Sequence, residues 1–299
     1  MSKDITLLVD AGNTRVKFGW MRSGSPRREA DILALPHDAL KDAGPWLASL
    51  PGSPQAAVGV SVARAHVVAQ IEELLLTQCG VSLRWLRSGP SAAGVENLYE
   101  QPEQLGNDRW VALLGLSQHA RSAAMLASFG TATTIDTLGP CRLAVDCKPA
   151  SSATDEAPDK ARLQGAEDSN LLALRAFEGG LILPGPELMR QSLALGTAGL
   201  PYAMGESTDF PRNTHSAIST GVAAAQAGAV LRQWRTALER LGEPPRLYCS
   251  GGGWPLVADE VQAGLQRLQT DLGLPRLAPE WLEAPVLDGL AVMATAPLA

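Results

Sequence analysis

Cysteine is scarce in this chain and carries no pattern. Cys79, Cys141, Cys147 and Cys249 are the only four in 299 residues, and no two form a CxxC pair. That spacing excludes a zinc finger or a dithiol motif and leaves them as thiols of the core or of loops. The histidines, His37, His66, His119 and His215, show no HxxxH or HExxH interval, so a histidine-built metal centre is not expected. A basic excess is missing too: 25 Lys and Arg stand against 31 Asp and Glu, for a net charge of -6. Such a balance suits neither nucleic acid nor an anionic membrane surface. No apolar run reaches the roughly 18 residues of a membrane span. The opening MSKDITLLVDAG lacks the basic region and apolar core of a secretion signal, so the expectation is a soluble, cytoplasmic protein. Two nucleotide motifs are also absent, the GxxxxGK[ST] loop and a GxGxxG after a strand.

What is present suits a sizeable α/β core. The chain is 45% hydrophobic and 19% charged, and its length allows two domains. ITLLV at 5–9 and RVKFGWM at 15–21 have the pattern of a strand and its hairpin partner. AAVGVSV at 56–62 predicts another strand, AHVVAQIEELLL a helix after it, and RWVALLGLSQHA at 109–120 a second amphipathic helix. SAAMLASFGTATTIDTL at 122–138 then repeats the opening: an apolar strand, a small turn around Gly130, and a β-branched second arm. VDAGNTRVKF and ASFGTATTID share this plan, which implies an internal duplication. The expected halves are 1–120 and 121–299. Further on, GGLILPGPEL at 179–188 reads as a glycine-rich turn, 189–200 and 216–241 as helices, and RLYCSGGGW at 246–254 as a strand running into glycines. APVLDGLAVMA at 284–294 reads as a last short strand or turn entering a helix. PASSATDEAPDK at 149–160 reads as a mobile surface loop.

Phosphoryl transfer needs a glycine turn for phosphate oxygens, a carboxylate for Mg²⁺, and a base to orient the attacking hydroxyl. Asp10, Gly12, Asn13 and Thr14 offer the first two, although DAGNT alone is also what an Asx turn looks like. A second like turn, FGTATT, could face the first across a nucleotide. Gly251, Gly252 and Gly253 suit a close backbone approach to an adenosine, or a flexible loop. In ENLYEQPEQLGNDRW, Asp108 and Arg109 open a helix. One reading makes them a proton acceptor and a planar fork for a substrate carboxylate. The other makes them a helix-supporting acid and a surface ion pair.

The ordered set DAGNTRVK, Tyr99 with Pro102 and GNDR, GTATTID, GGLILPG and LGTAGLP resembles the type III pantothenate kinases over most of the chain, residues 5 to about 293. That resemblance implies a duplicated actin-like, ribonuclease H-like fold with mixed sheets and a nucleotide cleft between its halves. It implies ATP-dependent phosphorylation of pantothenate, the first step of coenzyme A synthesis. By the resemblance, Asp10, Ala11, Gly12, Asn13, Thr14, Arg15, Val16 and Lys17 would contact the ATP phosphates, with Asp10 also on Mg²⁺ and Thr131 in the second phosphate turn. Tyr99, Gly106, Asn107, Asp108, Arg109 and Thr197 would bind pantothenate, with Asp108 as the proton acceptor and Arg109 on the carboxylate. A homodimer and a monovalent cation, potassium or ammonium, are also implied. The chain departs from the family twice. Ser128 stands where the family carries the aspartate associated with that cation, and a hydroxyl brings no charge to it. The segment between Asp136 and Gly179 is also longer than usual, as a tolerated surface insertion would be. A kinase-like accessory protein linked to transcription is the rival reading, and a related kinase with another acceptor is a third.

Overall fold

The computed structural model describes residues 4–142 and 174–295. Cys147, the loop read at 149–160 and most of the predicted insertion lie outside the described residues.

The opening hairpin forms as its alternation predicts. β1 (Ile5–Ala11) pairs antiparallel with β2 (Arg15–Arg22), and β2 with β3 (Leu33–Pro36). β1 also runs parallel to β4 (Pro54–Ser61), and β4 to β5 (Leu83–Trp85), with α2 (Ala65–Cys79) as the crossover between those two. The first sheet thus has the order β3-β2-β1-β4-β5. ITLLV is apolar without interruption because both faces of β1 are covered. Leu7 and Val9 pack on one side with Val67, Ile71 and Leu75 of α2. Leu8 packs on the other, in a core shared with the second sheet.

The second sheet repeats the plan. β8 (Ala124–Phe129) pairs antiparallel with β9 (Ala132–Leu138), and β9 with β10 (Arg175–Pro184). β8 runs parallel to β11 (Arg246–Ser250), and β11 to β12 (Glu280–Trp281). Read as β10-β9-β8-β11-β12, this is the first sheet's order with the same strand directions. The duplication is therefore one of topology as well as of pattern, and the fold is the α/β, actin-like class expected. Two short strands, β6 (Ser91–Ala92) and β7 (Val95–Asn97), extend the second sheet beyond β10.

Between the sheets lie α3 (Asn107–Leu116) and α7 (Pro285–Thr295). Trp110, Leu113, Leu287 and Leu290 share one buried cluster with Val58 of the first sheet and Leu126 of the second. The last helix thus returns to pack beside α3 in the core that the two sheets share. Outside the second sheet, α5 (Thr214–Leu241) and α6 (Ala258–Asp271) cover Met125, Phe129 and Leu247 through Val230, Trp234 and Leu265. α1 (Gly44–Ser49) and α4 (Pro186–Gly196) are the remaining α-helices among the described residues. No helix among the described residues is long and apolar enough to cross a membrane.

One element contradicts its reading. GGLILP at 179–184 is the second part of the ten-residue strand β10, and Gly185 caps the helix α4 that follows directly. Gly179 has φ +111°, and the register with β9 shifts between Phe177 and Gly179. A glycine pair in a strand marks such a bulge as readily as a turn, and the two look alike in sequence.

Candidate active site

The β1–β2 turn of the first sheet meets the β8–β9 turn of the second. Gly12 N–H donates to Arg15 O at 3.0 Å, and Gly130 N–H donates to Ala132 O at 3.0 Å. The hydroxyls of Thr14 and Thr131 then share a hydrogen bond of 2.7 Å across 117 residues of sequence. The second turn is braced from behind, since Thr131 O accepts from Gly185 N–H and Phe129 O from Gly253 N–H, each at 2.9 Å. A Cβ on Gly251 or Gly253 would press on the Phe129 backbone, whereas one on Gly252 would meet open space. Close approach is therefore what two of these three glycines provide, and their neighbour is the second turn. His37, which the sequence did not single out, holds the first turn through Nε2 at 3.0 Å from Gly12 O.

Ala11 and Val16 point into the core, so from this segment they can offer a phosphate only backbone. Asn13, Thr14 and Arg15 are exposed. Asp10 and Lys17 stand opposite one another in the β1–β2 register. Burial pushes the Asp10 carboxyl up to about 6, Lys17 pulls it back, and the negative charge of Asp108 pushes it further. Asp10 thus feels the negative charge of Asp108, an influence that a divalent cation on Asp10 would offset. Among the described residues no group of three or more His, Cys, Asp and Glu forms a complete metal cage. Asp10 suits Mg²⁺ held jointly with substrate phosphates, the usual way this ion is bound.

The Asp10 geometry has a consequence for stability. A carboxyl raised from 3.8 to about 6 in the fold is neutral below that range and must charge at a cost as pH rises through it. Asp10→Asn is expected to raise the thermal midpoint of the ligand-free protein by a few degrees at pH 8. The gain should disappear by pH 4, where both proteins are neutral at this position. Midpoints of the two proteins measured from pH 4 to 8 check this, and parallel curves would contradict it.

Asp108 lies in the first turn of α3. Its Oδ1 accepts from Arg109 N–H at 2.8 Å, so the carboxylate does support the helix start. Among the described residues its Oδ2 accepts no hydrogen bond, which leaves that oxygen for an incoming hydroxyl. Gly106 makes the curl possible, because a Cβ there would sit 2.8 Å from Oδ1. Asn107 holds the preceding loop, its Oδ1 accepting from Ser88 N–H at 2.9 Å.

Arg109 is not in a surface ion pair. It is 6% exposed and paired with Asp136 of β9, which is 2% exposed. Nε lies 3.1 and 3.3 Å from the two Asp136 oxygens, and Nη2 also donates to Oδ1. Nη1 donates to the Tyr99 hydroxyl at 2.9 Å. Tyr99 and Phe177 stack at 5.5 Å, and the guanidinium lies 5.8 and 5.9 Å from their ring centres. Burial works against the arginine's charge, but the Asp136 and Tyr99 contacts outweigh it and hold Arg109 above its ordinary value. Asp136 was visible in the sequence only as part of TATTID. An acid within a buried β-branched strand needs a partner, and that was the available signal.

The structure therefore brings together Thr14 with Thr131 and Tyr99 with Arg109, and sets Asp10 within the electrostatic reach of Asp108. Thr197 is exposed at the end of α4, its hydroxyl donating to Leu193 O at 2.8 Å and accepting from Leu200 N–H at 3.3 Å. Neither bond reaches the Tyr99–Arg109 group. Ser128 lies near the end of β8, opposite Thr134 of β9 and Ser250 of β11, so its strand neighbours bring hydroxyls and no acid.

Comparison with known proteins places the chain in a family. The sequence profile described as type III pantothenate kinase matches residues 6–141 and 170–236. A protein of that name from Bordetella bronchiseptica is 41% identical over 297 residues, covering 96% of this chain and 97% of its own. The namesake from Bordetella petrii is 42% identical over 294 residues, covering 97% of each. One from Aromatoleum aromaticum is 36% identical over 288 residues, covering 96% and 97%.

Proposed function

The chain belongs to the type III pantothenate kinases, and from that membership we propose how its own residues carry out the reaction. The enzyme transfers the γ-phosphoryl of ATP to the primary hydroxyl of pantothenate, giving 4'-phosphopantothenate, the first step of coenzyme A synthesis. The observation that carries the reading is the meeting of the two duplicated turns through Thr14 and Thr131, beside Asp10 and Asp108.

The segment Asp10 to Lys17 binds the triphosphate on one side and Thr131 on the other, so a phosphate entering between the threonines exchanges their mutual hydrogen bond for two of its own. Asp10 holds Mg²⁺, which when bound supplies positive charge against the phosphate oxygens. Asp108 takes the hydroxyl proton on Oδ2, the oxygen without a partner among the described residues. Tyr99 and Arg109 hold the acceptor's carboxylate, with Gly106 and Asn107 shaping the turn that presents Asp108. Little covalent chemistry is required of the protein, and alignment with charge stabilisation supplies the rate.

Pantothenate is expected to raise the thermal midpoint of the protein in the presence of Mg²⁺ and a non-hydrolysable ATP analogue, whereas acetate and glucose at equal concentration leave it unchanged. Equal shifts for all three would remove the acceptor assignment. Two finer points belong to the same reading. Ser128 makes the monovalent cation site one of neutral oxygens, so potassium or ammonium would stimulate turnover only weakly over sodium. The exposed apolar side chains Leu188, Leu195, Tyr202, Met204 and Phe210 on and after α4 support a homodimer through that face. Sedimentation of the protein and turnover in potassium, ammonium and sodium salts test both. A monomer, or an absolute potassium requirement, would count against them. The accessory reading, for which Ser128 and the insertion leave room, has no support from the family match or from these relatives.

A further inference from the structure

A guanidinium has five N–H hydrogens, and which of them face a ligand depends on what holds the others. In Arg109 one edge, Nε and Nη2, lies on Asp136, and Nη1 donates to Tyr99 Oη. Among the described residues three of the five are thereby engaged, leaving one on Nη1 and one on Nη2. Asp136 belongs to the second sheet and Arg109 to the helix between the sheets, so the contact orients the side chain from outside its own element. Room for the pair is made by Gly180 on β10, where a Cβ would fall 2.3 Å from Asp136 Oδ1 and 2.8 Å from Arg109 Nη2. Tyr99 and Phe177 flank the guanidinium, which leaves it little freedom to turn.

We propose that Asp136 is a positioning residue for acceptor recognition: it takes the inner edge of Arg109 and so turns the remaining N–H groups toward the substrate carboxylate. The inference rests on the reading of Arg109 as the carboxylate-binding residue. Since Asp136 also neutralises Arg109, the carboxylate is recognised by directed hydrogen bonds, with no uncompensated charge waiting in the empty site.

A double-mutant cycle of Asp136→Asn, Arg109→Gln and the two combined tests this, with KM for pantothenate, KM for ATP and kcat measured for each. Each single change is expected to raise KM for pantothenate tenfold or more, with KM for ATP within about twofold of wild type. The combined protein should resemble Arg109→Gln alone, because Asp136 acts only through Arg109. If Asp136→Asn does not fold, the comparison of the combined protein with Arg109→Gln serves alone. A further tenfold rise on that background overturns the proposal. So does an Asp136→Asn protein whose loss lies in kcat, with KM for pantothenate unmoved. A wild-type protein that turns over pantothenate while Asp136→Asn matches it overturns the positioning role only. A wild-type protein without that turnover removes the underlying reading and the positioning role with it.

Discussion

Asp108→Asn is expected to lower kcat for pantothenate phosphorylation by roughly 10²–10⁴, with KM for ATP and the thermal midpoint close to wild type. The substitution is nearly isosteric. Asn keeps an oxygen that accepts the Arg109 N–H, so the start of α3 is preserved. What it loses is the second carboxylate oxygen, the one without a partner among the described residues, and with it the ability to accept a proton. Steady-state kinetics at pH 7.5 beside a melting curve separate these effects. A kcat within threefold of wild type would remove Asp108 as the proton acceptor. A large drop in the melting midpoint would show that its role at the helix start outweighs its chemistry.

Arg109→Leu should cost stability as well as substrate binding. It leaves Asp136, at 2% exposure, without the cation that pairs with it. Removing one partner of a buried pair typically costs about 3–5 kcal/mol. For a protein of this size that is a fall in melting midpoint of roughly 10 °C. The deficit should shrink as pH falls, because burial raises the Asp136 carboxyl and a protonated Asp136 carries no charge to strand. Arg109→Leu with Asp136→Leu should recover most of the stability and none of the pantothenate binding. A single variant as stable as wild type at pH 8 would mean that water reaches Asp136, and the buried pair would no longer explain the arginine's orientation.

Much of this site could be read from local pattern, because its parts are local. Strand, glycine turn and strand lie within ten residues in VDAGNTRVKF, and their repetition in ASFGTATTID exposed the duplication that the sheet order bears out. GNDR lies within four residues, so the helix start and its acid were equally visible. Contacts that span the chain were not. Asp136 meets Arg109 across 27 residues and two elements, and nothing in TATTID says which face Asp136 occupies or what it meets there. The β10 strand was hidden because Gly179 and Gly180 serve a bulge and an ion pair, both invisible until the sheet is assembled. The return of α7 to the core between the two sheets was unreadable for the same reason. Its own pattern shows that it is buried and not against what.

The most direct test follows the phosphoryl group itself. Wild-type protein would be incubated with pantothenate, ATP and Mg²⁺, and phosphopantothenate and ADP quantified together by mass spectrometry, beside Asp108→Asn. One phosphopantothenate per ADP, with both products nearly lost in Asp108→Asn, is the result predicted here. ADP without phosphopantothenate, or no ADP from well-folded wild-type protein, would contradict it.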